Sequence, residues 1–217
     1  MPAGARYVLV GAHLHRADVS VDGVTPLPAS DLFISGVEVA ERRTLAEREI
    51  VARVASLRQE LIGREIFVAI RYGATARDAT AAADKCAPHL ARWRGLLQKW
   101  RGRVELVMRV GGAGAGERPK RQAFDSGAEY LRALHSMRHA VPIDRAFVAD
   151  AEARFRGLAD AMRTISREDG SIEIATLVRR DRIDDARRIA EELKSARAGV
   201  PFLLSGPWPL EVFADES

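Results

Sequence analysis

The chain has one cysteine, Cys86, which excludes an intramolecular disulfide framework and a cysteine-cluster zinc site, as expected in a reducing compartment. No apolar run approaches the ~20 residues of a membrane-spanning helix. The opening residues, Met1-Pro2-Ala3-Gly4-Ala5-Arg6, carry no charged region followed by a hydrophobic core of signal-peptide length, so the expected location is the cytoplasm. Lysine is scarce: it stands at 85, 99, 120 and 194, which leaves 30 of the 34 basic residues as arginine. The 30 acidic residues interspersed among them hold the formal net charge to +4. Counterion-release binding to nucleic acid needs a concentrated positive stripe, so an arginine-rich nucleic-acid binder is kept only as an alternative.

Motifs of catalysis are missing as well. There is no GxxxxGK[ST] loop and no GxSxG elbow. Gly112-Ala113-Gly114-Ala115-Gly116 follows an apolar segment in the manner of a phosphate-binding turn. Glu117 and Pro119 come next, however, where a helix N-terminus should face the phosphate. The expectation is therefore no enzymatic activity, no cofactor and no small-molecule substrate.

What is present suits a packed protein: 217 residues, 47% hydrophobic and 29% charged, enough for one large or two small domains. Tyr7–Ala12 and Leu32–Val39 read as strands, with a loop over Asp18–Ser30 between them. Thr44 and Glu47 form a capping-box pair, after which Ile50, Val51, Val54, Leu57 and Leu61 recur at helical spacing until Gly63. Ile66–Ile70 reads as a central strand turning into a loop at Arg71-Tyr72-Gly73. A long amphipathic helix follows over Thr75–Arg101, kinked or split at Pro88 and capped by Gly102. Val104–Val110 alternates as a half-buried strand with Glu105 on its polar side.

Residues 111–123 contain little that could be buried and read as a flexible linker between domains at 1–110 and 124–217. Past it, Ala128–His139 and Asp144–Gly157 read as helices, the second capped by Asp144. Ala159–Ile165 and Ile172–Val178 read as a hairpin turning at Arg167-Glu168-Asp169-Gly170. Asp181 is the expected cap of a helix with an apolar face of Ile183, Ala186, Ile189, Ala190 and Leu193. The last strand is expected to end at Gly206 in a rigid corner of Pro207, Trp208 and Pro209.

His135 and His139, and His13 and His15, share sides of their elements but have no carboxylate or cysteine at ligand spacing, so no metal is expected. Asp181, Asp184 and Asp185 suit a helix N-terminus, and Cys86 a buried apolar face. Arg71 can bind a partner carboxylate or pair internally. Trp208 can fill a core or face a partner.

Several segments taken in order are similar to the GvpL/GvpF family of gas vesicle proteins. Ile70-Arg71-Tyr72-Gly73 resembles that family's Leu-Arg-Phe-Gly strand end, and Gly102-Arg103-Val104-Glu105 its Gly-Arg-Val-Glu strand. Gly127–Leu131 and Leu177–Asp181 resemble a helix start and a strand end of the family. Gly206-Pro207-Trp208-Pro209 with Phe213 resembles its C-terminal signature. That signature usually continues Pro-Tyr where Leu210 and Glu211 stand, and Val68-Ala69 replaces a Leu-Pro. The resemblance implies an α+β fold of two domains: an N-terminal ferredoxin-like α/β sandwich, and a C-terminal domain with helices packed on a small, mostly antiparallel sheet. It also implies a cytoplasmic, gas-vesicle-associated accessory or minor structural protein that binds the small hydrophobic shell protein and other gas vesicle accessory proteins, but no membrane, and assists ordered polymerisation of the shell; Arg71, Tyr72, Gly73, Trp208 and Phe213 are the candidate partner-binding residues. A family member reused as a general protein-interaction module is a further alternative.

Overall fold

Apolar residues over Ala5–His13 and Leu32–Ala40 build two nine-residue strands, β1 and β3, paired antiparallel from Ala5 opposite Ala40 to His13 opposite Phe33. The register slips once, between Leu9 and Gly11. A Cβ at Gly11 would lie 2.2 Å from the Phe67 ring, so only glycine fits there. The computed structural model describes residues 5–40, 43–111, 126–130, 143–197 and 199–214. The fold is α+β and contains two sheets with accompanying helices.

With β2 at Thr25–Ala29, β4 at Val68–Ala69 and β5 at Thr75–Ala76, the first sheet has the order β2-β3-β1-β4, and β5 also pairs with β1. Strand β2 is Thr25–Ala29, inside the segment expected to be a loop, and a 3-10 turn at Arg16–Val19 precedes it. Pro26 and Pro28 made β2 read as loop. Both residues sit on an edge strand, opposite Ser35 and Phe33 of β3. Because proline has no N–H, residues 25, 27 and 29 face the β3 ladder, and 26 and 28 face outward. The outer side of β2 therefore lacks donors at both positions.

Helix α1 spans Arg48–Arg64 and buries Ile50, Val54, Leu57, Leu61 and Ile62. The Thr44 hydroxyl does not cap it; instead the Thr44 N–H donates to Glu47 Oε1 at 2.8 Å, and Glu47 takes the N-cap position. Gly63 does not stop the helix, which runs one residue further. Pro88 splits the next helix as expected, into α2 (Ala79–Cys86) and α3 (Leu90–Lys99) with a 3-10 turn at Ala87–His89 between them. Helix α2 starts later than Thr75, where Asp78 accepts from the Ala81 N–H at 2.7 Å. After Lys99 the chain turns through Gly102 at φ +72, whose N–H donates to Glu65 Oε1 at 3.0 Å.

The second sheet has the order β7-β8-β6-β9, formed by Ala159–Ser166, Ile172–Arg179, Arg103–Val110 and Phe202–Trp208. The expected hairpin joins β7 and β8, closed by Arg167 N–H to the Ser171 carbonyl at 2.9 Å. Helix α4 (Arg145–Arg156) is capped by Asp144, which accepts from the Phe147 N–H at 2.9 Å. It contributes Phe147, Val148, Ala151 and Phe155 to this core, and helix α5 (Ile183–Ala196) adds Ala186, Ala190 and Leu193. Asp181 does not cap α5: it lies in a 3-10 turn, Arg180–Arg182, and pairs with Arg179. Strand β6 is not half-buried, since Glu105 is 1% exposed. Gly206 does not end β9, which continues to Trp208. At φ +120, with a Cβ placed 2.9 Å from the Glu105 carbonyl oxygen, Gly206 bends the strand before Pro207.

The compact units are Met1–Val104 with Pro207–Ser217, and Glu105–Gly206. The sequence expectation divided the chain instead at 111–123. Residues from Pro207 onward group with the first unit because the segment around Leu210 hydrogen-bonds to that unit's backbone. Most of the expected linker, and most of the helix expected at 128–139, lie outside the described residues; residues 127–130 are helical.

Candidate functional site

Residues 68–76 form one edge of the first sheet, interrupted by a three-residue excursion. Val68 and Ala69 (β4) pair with Ala12 and Gly11, and the Ile70 N–H donates to Val10 O at 3.0 Å. Pairing resumes when the Leu9 N–H donates to Ala74 O at 2.9 Å, and Thr75 and Ala76 (β5) face Val8 and Tyr7. Arg71, Tyr72 and Gly73 are thus pushed out of an edge strand, rather than following a central one as expected. Gly73 adopts φ +95 and the Ala74 N–H closes on Arg71 O at 3.3 Å, a turn that disfavours any side chain at 73.

The excursion is held from behind. Arg58 of α1 donates to Ile70 O at 2.5 Å and faces Glu211 at 3.8 Å, while the Tyr72 hydroxyl donates to Leu45 O at 2.6 Å. The C-terminal segment straps the same edge: the Leu210 N–H donates to Phe67 O at 2.8 Å, and the Ala69 N–H donates to Leu210 O at 3.2 Å. Phe213 follows, 2% exposed and edge-on to Trp100 at 6.5 Å. Tyr72 is 37% exposed, and the side chain of exposed Arg71 has no partner among the described residues. Of the five candidate residues, Arg71, Tyr72 and Gly73 share one surface. Trp208 is half-buried, and Phe213 lies in the core of the first unit, which leaves it no surface to offer.

Two of the other candidates, Cys86 and His13, are buried side chains. Burial pushes the Cys86 thiol pKa up, which disfavours a thiolate. His13 is 0% exposed and stacks on Phe67 at 4.8 Å. Its Nε2 faces Ser35 Oγ at 3.0 Å, and that hydroxyl donates onward to Gly11 O. The ring nitrogen must therefore be the donor, and desolvation pushes the His13 pKa down to about 3. His15 is exposed and does not join it. Among the described residues no group of His, Cys, Asp or Glu could hold a metal. His135, His139 and the turn at 112–116 lie outside them. Asp184 and Asp185 pair with Arg187, Arg182 and Arg188, and the neighbouring guanidinium of Arg182 holds the Asp185 pKa below its usual value.

Comparison with known proteins decides the family. Residues 19–214 match the family described as Gas vesicle synthesis protein GvpL/GvpF. The chain belongs to it. No curated protein sequence gives a significant match. Among solved structures, the gas vesicle protein GvpF from Anabaena sp. PCC7120 is similar at TM-score 0.68 and 14% identity, over 99% of this chain and 100% of that one. GvpF from Microcystis aeruginosa is similar at TM-score 0.71 and 10% identity, with the same coverage. At such identities the likeness concerns the fold.

Within this GvpL/GvpF protein the strand end at Ile70–Gly73 and the C-terminal signature, far apart in sequence, meet along one sheet edge. The departure at Leu210 has a physical consequence: a proline at 210 could not donate to Phe67 O, whereas leucine can. Glu211, in place of the usual tyrosine, supplies the carboxylate facing Arg58. Sequence reasoning missed this strap, because it depends on long-range pairing. It also missed a groove of about 430 Å³ between α5 and β9, beside the 66% exposed Leu203. The uncharged run Phe202–Gly206 was its only signal.

Proposed function

We propose that this GvpL/GvpF protein is a non-enzymatic, cytoplasmic accessory of gas vesicle formation that binds the small hydrophobic shell protein and assists its ordered polymerisation. The observation that carries the reading is the pinned excursion at Arg71–Gly73: its backbone is held through Ile70 by Arg58 and by the C-terminal strap, the Tyr72 ring is fixed through its hydroxyl on Leu45 O, and the Arg71 guanidinium has no partner among the described residues. Arginine and tyrosine are residue types that anchor protein interfaces, and a tyrosine already fixed by a hydrogen bond does so at low entropic cost. A shell subunit exposes apolar surface and strand edges before it polymerises, and an accessory that covers them suppresses aggregation.

The nucleic-acid alternative gains no support from the arrangement of charge. Arg43, Arg94, Arg109, Arg154, Arg167, Arg182 and Arg188 face carboxylates instead of forming a bare stripe. The test is co-precipitation of the full chain with purified shell subunit at low and high salt. Binding should persist at high salt and fall about tenfold in Tyr72→Ala, the loss typical of an aromatic anchor. Binding that disappears at moderate salt, or no binding at all, would contradict the proposal.

A further inference from the structure

The C-terminal strap covers the β4 edge with a single bridge. Leu210 lies parallel to β4 opposite Val68; its N–H donates to Phe67 O at 2.8 Å, and its carbonyl accepts from the Ala69 N–H at 3.2 Å. The pairing stops there because the chain turns away. The Ala214 N–H closes on Glu211 O at 3.2 Å, and this turn carries Phe213 into its seat against Trp100. Residue numbers rise together along a parallel pair, so a segment running straight on from the place of Leu210 would pass Ala69 and Ile70 towards the Arg71–Gly73 excursion. The strap leaves that stretch to others.

Its fit is also incomplete. Arg58, which faces Glu211, and Trp100, which meets Phe213, each keep a buried donor without an acceptor among the described residues: Arg58 Nε and the Trp100 indole N–H. An unpaired buried donor is more destabilising than an average hydrogen bond is stabilising. The ion pair of Glu211 with Arg58, at 3.8 Å and half in water, holds little. The edge, in contrast, has anchors of its own, since Arg58 donates to Ile70 O and Tyr72 to Leu45 O. We propose that the strap is a displaceable guard over a strand-addition site: an extended segment of a different chain enters parallel to β4 in place of Leu210, continues where the strap turns, and brings carboxylates to Arg58 and Arg71. Main-chain bonds to Phe67 and Ala69 set its register, and the two guanidinium groups select acidic residues after an apolar one. A second copy of this chain is the poorer occupant. Its strap offers only the contacts that the resident strap already makes, without the effective concentration of a tethered segment. The inference rests on the binding role proposed above and adds its gate and the form of the partner.

The test compares the full chain in three forms: wild type; Phe213→Leu, which loosens the strap without emptying its seat; and Val68→Cys with Leu210→Cys, whose disulfide across the bridged pair locks the strap in place. The probes are purified shell subunit and a synthetic proline-free peptide in which a leucine followed by glutamates stands among valine and threonine. Oxidation of the double variant should weaken binding of either probe at least about tenfold, with recovery on reduction, and Phe213→Leu should tighten it about fivefold because more of the chain has its edge open. Bound probe should slow amide exchange at Arg71 and quicken it at Phe213. Peptide binding that the lock abolishes, without binding of the shell subunit, would support the guarded site and remove the shell protein as partner. Shell binding equal in the oxidised and reduced forms would keep the binding role and overturn this inference. Neither probe binding even to Phe213→Leu, or a wild-type dimer that is absent from the locked form, would overturn it as well.

Discussion

The two sheets treat their edges in opposite ways, although both use proline there. In β2, Pro26 and Pro28 occupy outward positions, so the outer side has no N–H at either. In β9, Pro201 sits at an inward position, its carbonyl accepting from Gly111, and the outward positions 202 and 204 keep their N–H groups. The remaining edge of the first sheet is broken by the Arg71–Gly73 excursion and strapped by Leu210, whereas β7 carries Asp160 and Arg163. Bulged, covered or charged edges discourage added strands, and uncharged ones with free donors invite them. The position of a proline within the strand's alternation, more than its presence, decides which outcome a sheet gets.

Breaking the first sheet from inside should have the largest effect. Gly11→Val places a side chain into the Phe67 ring and the Val68 carbonyl, and chemical denaturation should show a loss of at least about 3 kcal/mol. Acid comes next. The folded pKa of His13 is lowered to about 3, below the ordinary 6.5, so the unfolded chain binds more protons between these values. Its contribution is fully present above pH 6.5 and lost as pH falls towards 3, on the order of 2 kcal/mol by pH 5. Unfolding midpoints measured against pH should show this slope, and it should be flatter in His13→Phe.

Leu210→Pro removes the donor to Phe67 and should cost roughly 1–3 kcal/mol, while amide exchange at Ala69 quickens as the strap loosens. An unchanged stability would mean that the strap does not hold that edge. Smallest of all, Leu203→Lys should shift stability by no more than about 0.5 kcal/mol, because the side chain it replaces is largely in water. A large loss there would show that the β9 edge is already covered in the free protein.

Much of the framework was legible where local chemistry decides it. The runs that became β1 and β3, the apolar face of α1 apart from the exposed Val51, the break at Pro88, the turn at Arg167–Gly170 and the Asp144 cap all follow from patterns within a few residues. Strand β2 was not legible, because its prolines read as loop until β3 shows which way they point. Asp181 looked like a cap, but Arg179 held its carboxylate before the helix began. At the site, the glycine after Arg71-Tyr72 marked a turn correctly. The burial of Phe213 against Trp100 and the role of Leu210 depend on partners distant in sequence, which no local pattern encodes.

Residue-resolved hydrogen exchange on the isolated chain tests the contrast between the sheets most directly. Fast exchange at Phe202 and Leu204, with Leu203 and Ser205 protected between and beside them, is the result predicted for a strand bonded on one side only. Slow exchange at Phe202 and Leu204 in the absence of any partner would contradict an open β9 edge.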